Sequence, residues 1–368
     1  MIIDADGHII ETEAVFEKYL APEFQDRRPE LVTNRQGWQY WLVEGALVPK
    51  PAGTGPGTTR GFVTPGANRG FKDLYGLQYL SGRLADLDVE GIDAQVMFPT
   101  LMLGACYVRQ AKLAAAMCRA YNTWVHDSIG SHRDRLKAVA VVPLQDPEAA
   151  IVELRHAVTE LGMVGAVLPG FLPDKRLDHP SLRPFFAEAA RLNTLLGVHA
   201  VTGCYDIPGQ HLFDDFWSAH MVAMPFAVFT GLVSLMRGGI FTTHPKLRFA
   251  FLEIGCGWAP YWVERFDEHY EKHEMYGDLH KLVPELVGRP STVLTRDNFF
   301  VSCEPDEKML PAFIQLLGDD NVVFASDYPH GDCRFPECVA TVRGRNDLSE
   351  DSKRKVLGEN AARMYNLG

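Results

Sequence analysis

Short apolar runs alternate along this chain with longer amphipathic stretches, and that rhythm constrains the fold more than any other feature. The runs Met1–Asp4, Ala94–Pro99, Ala138–Pro143, Gly165–Pro169, Leu195–Ala200, Leu247–Glu253, Phe299–Cys303 and Val322–Ser326 are mostly rich in Val, Ile, Leu and Phe. Near-continuous hydrophobicity is what a strand needs when both of its faces are covered. Helical periodicity marks the stretches Val108–Gly130, Pro147–Leu161, Pro184–Leu192, Trp258–His273, Glu307–Leu317 and Ser349–Tyr365. Repeated βα units build a parallel sheet. Strands that are each followed by room for a helix close most economically into a (β/α)8 TIM barrel of the α/β class. The 368 residues suit one decorated barrel, a single domain over 1–368. The alternative, an open doubly wound sheet, needs a Gly-rich phosphate turn after its first strand, and Asp4-Ala5-Asp6-Gly7-His8 is not one.

Residues 44–72 break the rhythm, being dense in Gly, Pro and Thr. They read as an extended loop inserted after strand 1, either a disordered insertion or a lid over the site. Phe216 to Met236 carries no Asp, Glu, Lys or Arg, but its Ser, His, Pro and Gly residues fit a buried barrel helix better than a membrane span. The net charge of −11 argues against a nucleic-acid binder and leaves a small-molecule substrate as the expected partner. The 7 cysteines form no CxxC pair, which excludes a disulfide scaffold and a cysteine zinc site and points to a reducing cytoplasm. The opening MIIDADGHI lacks the basic and apolar regions of a signal peptide.

In such a barrel the chemistry sits where strands end at their C-terminal face. Strand 1 ends in Asp6-Gly7-His8, strand 5 in His199, strand 6 in Glu253, strand 7 in Glu304 and strand 8 in Asp327, with His330 just beyond. The period of two along a strand sends Asp6 and His8 to the same side. Taken singly, each of these is more plausibly a hydrogen-bonded structural residue or a helix cap. Together they would aim carboxylates and imidazoles into one basin, and buried carboxylates need a cation to neutralise them. The mixed nitrogen and oxygen donors suit a divalent zinc, manganese or iron ion.

The segments IDADGH, VHA, HPKLRFAFLEIGCGWAPYWVERFDEH, FASDYPHGD and GENAARMYNL, in that order, resemble the amidohydrolase-related group of metal-dependent hydrolases. That group includes aminocarboxymuconate-semialdehyde decarboxylase and the resorcylate decarboxylases. The resemblance implies a barrel holding one divalent metal, with ligands at Asp6, His8, His199 and Asp327. Two departures follow from it. Asp6 makes the first ligand of the strand-1 pair anionic, and Glu253 stands where the decarboxylases carry a proton-shuttling His. A Glu with an ordinary pKa of about 4.3 is a poor proton donor at neutral pH. Glu253 and Glu304 could instead help ligate a second ion beside His330.

The function expected is a metal-dependent, decarboxylase-like lyase or hydrolase of a small carboxylated or cyclic compound, with Asp327, Glu253 and His330 handling protons. The alternatives are a dimetal, iron-containing oxygenase on the same barrel and a non-catalytic metal-containing subunit. A homo-oligomer, most simply a dimer, is expected, and a hetero-oligomer is the second choice. His220 reads as a core or interface residue, His244 as structural, and His269, His273 and His280 as a solvated outer face. Trp258, Trp262 and Arg83 read as helix packing.

Overall fold

The computed structural model describes residues 1–35, 39–48, 80–200, 207, 209–295, 297–330 and 333–368. The chain begins with β1 (Ile3–Ile9), then lays down a small antiparallel sheet of β2 (Glu30–Thr33), β3 (Gln39–Val43) and β4 (Ala46–Val48). The strands β5 (Ala94–Pro99), β6 (Leu136–Ala140), β7 (Gly165–Leu168), β8 (Leu195–Val198), β9 (Phe249–Phe251), β10 (Phe299–Cys303) and β11 (Val322–Phe324) follow. Eight strands pair in the order β1-β5-β6-β7-β8-β9-β10-β11, and every pair is parallel. The seam between β11 and β1 is closed beyond the regular ladder. His8 N donates to Tyr328 O at 2.7 Å, Asp327 N to Asp6 O at 3.0 Å, and Ser326 N to the Asp4 carboxylate at 2.9 Å. This is the (β/α)8 barrel that the sequence rhythm predicts.

Among the helices are α1 (Glu13–Tyr19), α2 (Leu80–Glu90), α3 (Ala111–Ile129), α4 (Pro147–Thr159), α5 (Arg183–Arg191) and α6 (Phe216–Arg237). Local chemistry sets several of their ends. The Asp146 carboxylate accepts from Ala149 N at the start of α4, with Pro147 at the first helical position, and Asp215 accepts from Ser218 N at the start of α6. Two apolar layers result. Ile3, Ala5, Val96, Phe98, Val139, Val167, Leu195, Ala250, Leu252, Phe300 and Val323 pack in one cluster that includes the C-terminal Met364 and Tyr365. A larger cluster joins the outward strand residues, Met97 and Phe251 among them, to the surrounding helices.

The uncharged segment folds as α6. Over Trp217–Arg237 its hydropathy of 1.7 would allow a membrane span by length and composition, yet 56% of that window is buried against this barrel. Gly170 and Gly231 let the helix approach, since a Cβ at Gly170 would collide with the Ala227 carbonyl. Gly170→Ala must therefore push α6 outward or strain the β7 exit. Overpacking of this kind costs about 1–3 kcal/mol. Denaturant unfolding should show that loss, and an unchanged midpoint would contradict this packing.

Several boundaries differ from expectation. The loop predicted over 44–72 does not begin at 44, because Glu44 and Gly45, at φ 49° and 78°, make a tight turn into β4. Residues 49–72 lie outside the described residues, so the lid expectation does too. Strand 6, expected over Leu247–Glu253, keeps only Phe249–Phe251 as β9, and Glu253 leaves the ladder. The tail predicted as one helix is interrupted by a π-helical turn at Lys355–Glu359, where Gly358 lies directly against the Met1 carbonyl.

Candidate metal centre

The site starts from an irregularity in β1. Ile3 and Asp4 pair with Ala94 and Gln95, and Gly7 and His8 pair with Met97 and Phe98, so two residues of β1 stand opposite Val96 alone. An extra residue of this kind reverses the side-chain alternation beyond it. Ile3 and Ala5 pack in the barrel interior, while Asp4 points outward to Gln95. Beyond the bulge His8 turns inward beside Phe98, their ring centroids 6.3 Å apart, and Gly7 faces Gln95, whose side chain occupies the place of a Cβ. Buried Arg83 donates to Gln95 Oε1 at 2.6 Å and to His8 O at 2.8 Å, and Gln95 passes its amide to Asp4 at 2.7 Å.

Each of the two barrel-end histidines has one nitrogen committed. His8 Nδ1 lies 2.9 Å from Pro99 O and His199 Nδ1 lies 2.7 Å from Ala200 O. A carbonyl oxygen can only accept, so Nδ1 carries the hydrogen in both rings and Nε2 keeps a lone pair. Among the described residues, those two Nε2 atoms and Asp6 Oδ1 are buried with no hydrogen-bond partner. Burying polar atoms in this way is expensive unless something compensates.

Glu253 and Asp327 follow β9 and β11 in left-handed backbone, at φ 61° and 55°. For non-glycine residues this conformation is strained, and such strain gathers where a side chain must be aimed. Glu253 N donates to Ser302 Oγ at 3.0 Å, which helps hold the turn. His199 Nε2 is 3.1 Å from Glu253 and 3.8 Å from Asp6; His8 Nε2 is 3.2 Å from Asp327 and 3.7 Å from Asp6. His330 Nδ1 is 2.8 Å from Asp327 and 3.8 Å from Glu253, and its ring stacks on His8 at 4.0 Å.

Two groups of donor atoms each fall within 4.8 Å: Asp6, His8 and His199, and then His8, Glu253, Asp327 and His330. Both groups are able to hold a divalent ion, and the buried Asp6 Oδ1, His8 Nε2 and His199 Nε2 fit one by their nitrogen and oxygen chemistry. Burial, with Glu253 and Asp4 adding repulsion, pushes the Asp6 carboxyl well above its ordinary range. Burial pushes His8 and His199 down, so both are held neutral, as ligands must be. Burial also raises Glu253, but the facing His199 and His330 rings outweigh it and hold the carboxyl below its usual value.

Six of the residues singled out in the sequence therefore meet: Asp6, His8, His199, Glu253, Asp327 and His330. Glu304 does not join them. The chain leaves β10 at Cys303 and bends through a Glu304–Glu307 turn, which leaves the Glu304 side chain exposed. His220 is nearer the site than its place on α6 suggested, close enough to help lower Glu253. Trp258 packs against Phe229, Phe251 and Phe299 as expected. Glu11, Thr100, Gln95 and Arg83 support the site, and the sequence reading assigned none of them that task. A carboxylate three residues past His8, directly after the apolar pair Ile9-Ile10, was the one available signal for Glu11.

The Amidohydrolase family profile matches residues 75–367. The 2-amino-3-carboxymuconate-6-semialdehyde decarboxylase of Dictyostelium discoideum is 25% identical over 77% of this chain and 76% of its own length. The gamma-resorcylate decarboxylase of Rhodococcus jostii is 28% identical over 77% of this chain and 87% of its own. Among solved structures, an amidohydrolase from Mycobacterium avium subsp. paratuberculosis superposes with a TM-score of 0.77 at 21% identity, covering 100% of this chain and 98% of that one. A 5-carboxyvanillate decarboxylase from Novosphingobium aromaticivorans, solved with manganese and 4-hydroxy-3-methoxy-5-nitrobenzoic acid, gives 0.73 at 19% identity, covering 100% and 96%. Both curated relatives are decarboxylases and neither is an oxygenase or a structural subunit, so the decarboxylase-like reading stands ahead of its rivals. With a family profile that spans most of its length, the chain belongs to the amidohydrolase family.

Proposed function

We propose that this protein is a metal-dependent decarboxylase of a small aromatic or other cyclic carboxylate, with the ion held by Asp6, His8, His199 and Asp327. The observation that carries the proposal is the buried set of Asp6 Oδ1, His8 Nε2 and His199 Nε2, which lacks hydrogen-bond partners among the described residues while both Nδ1 atoms are already committed. A bound divalent ion supplies Lewis-acid polarisation of a substrate oxygen. Losing carbon dioxide leaves a carbon that must take up a proton. His330 Nδ1, 2.8 Å from Asp327 and 3.8 Å from Glu253, is placed to pass that proton. Glu253, held ionised, replaces an acid by a charge-stabilising group.

The second group of donor atoms leaves room for another ion held by Glu253, Asp327 and His330, as the rival dimetal oxygenase reading requires, although the decarboxylase relatives do not favour it. Metal analysis after anaerobic purification separates the two. One zinc or manganese per chain, with chelator-sensitive release of carbon dioxide from a panel of hydroxybenzoates and related carboxylates, supports the decarboxylase. Two metals including iron, with no carbon dioxide release, overturn it.

The six described cysteines, Cys106, Cys118, Cys256, Cys303, Cys333 and Cys338, are free, which supports a reducing compartment such as the cytoplasm. On α6 Trp217 and Met221, one helical turn apart, are 72% and 54% exposed. Such a face supports self-association, most simply as a two-fold dimer.

A further inference from the structure

Glu11 lies two residues beyond β1 and is 1% exposed. Its carboxylate takes three consecutive backbone N–H groups: Thr100 at 3.2 and 3.3 Å to its two oxygens, Leu101 at 2.8 Å and Met102 at 3.0 Å. Burial raises its carboxyl to about 7 despite those amides. So costly a group gains its meaning from what the clamped segment carries. Pro99 O takes His8 Nδ1 at 2.9 Å, and Thr100 Oγ1 lies 3.0 Å from His330 Nε2. Two adjacent residues at the end of β5 thus address two stacked imidazoles.

We propose that Glu11 is a positioning residue that fixes the Pro99–Thr100 segment, so that His8 turns Nε2 and His330 turns Nδ1 toward the ligand cluster as lone-pair atoms. Thr100 Oγ1 accepts the hydrogen on His330 Nε2. His330 Nδ1, 2.8 Å from Asp327, is then the atom that exchanges a proton or meets an ion. Arg83 braces the other side by donating to His8 O. The inference rests on the metal reading above and adds to it a residue that touches neither ion nor substrate. Outer partners of metal-bound histidines govern metal affinity by about 10–100-fold.

The test reads histidine tautomers by long-range 1H–15N spectra of histidine-labelled protein, with His330→Gln for assignment, and cobalt affinity by visible absorption. Thr100→Val should mix the tautomers of His330 alone, and Thr100→Ser should restore them. Glu11→Gln and Glu11→Asp should disturb both His8 and His330 and weaken cobalt binding by about 10–100-fold. Glu11→Asp keeps the charge and serves if the Gln variant does not fold. Wild-type tautomers and cobalt affinity in a folded Glu11 variant, with only the melting temperature lowered, overturn the inference, as does a Thr100→Val spectrum identical to wild type. If wild-type protein binds no cobalt, or His199→Ala binds it equally well, the metal reading fails instead, and the tautomer spectra still decide the role of Glu11.

Discussion

Replacing His199 with Ala should strip the bound metal and abolish turnover while leaving the barrel folded. The ring is 1% exposed, its Nδ1 is tied to Ala200 O, and its Nε2 faces Asp6 and Glu253. Removing it leaves Asp6, Glu253 and Asp327 with one fewer neutral nitrogen donor, and an alanine methyl cannot reach the cluster. The loss should exceed the roughly 10–100-fold that follows when only an outer partner is removed. Stability should change little by comparison, because the ring lies at the C-terminal face, where residues serve chemistry rather than support. Metal content after dialysis and a circular-dichroism melt make the test, and full occupancy with full turnover in a folded variant would remove His199 from the ligand set.

Glu253→Gln should lower turnover and leave the metal content at one ion per chain. The amide keeps the shape of the side chain and the left-handed backbone at φ 61°, so the change is one of charge alone. Glu253 is held as a carboxylate 3.1 Å from His199 and 3.8 Å from His330. Were Glu253 a ligand of a second ion, metal content would fall as well, because a neutral amide oxygen is a weaker partner for a hard cation. If metal content holds while turnover falls, Glu253 acts on the proton alone and the single-ion decarboxylase is favoured. If neither moves, Glu253 has no role in the site. Elemental analysis and a rate assay on one preparation give all of these answers.

Much of the architecture was legible because the physics behind it is local. Ala94–Pro99 and Phe299–Cys303 are strands with the predicted bounds, since runs covered on both faces carry a near-continuous apolar signature. Capping residues such as Asp146 and Asp215 mark helix starts that a reader of the sequence can find. The β2–β4 sheet escaped notice because β4 has only the three residues Ala46–Val48 and is held by pairing rather than by composition. Glu304 lies outside the cluster because the chain bends into a Glu304–Glu307 turn as soon as β10 stops at Cys303, and no sequence pattern marks that bend.

The sequence by itself determined the barrel and the gathering of Asp6, His8, His199, Glu253 and Asp327 at one end, because chain order and strand direction dictate which residues emerge at the C-terminal face. It also determined that Asp6 and His8 share a side. Only the tertiary structure decided which side. One extra residue opposite Val96 turns the pair from the helices to the interior, and that depends on register with a strand far along the chain. The left-handed turns at Glu253 and Asp327, and the Glu11 clamp that reaches 89 to 91 residues to Thr100, Leu101 and Met102, are of the same kind. Their causes are contacts between distant segments, and such contacts leave no periodicity behind in the sequence.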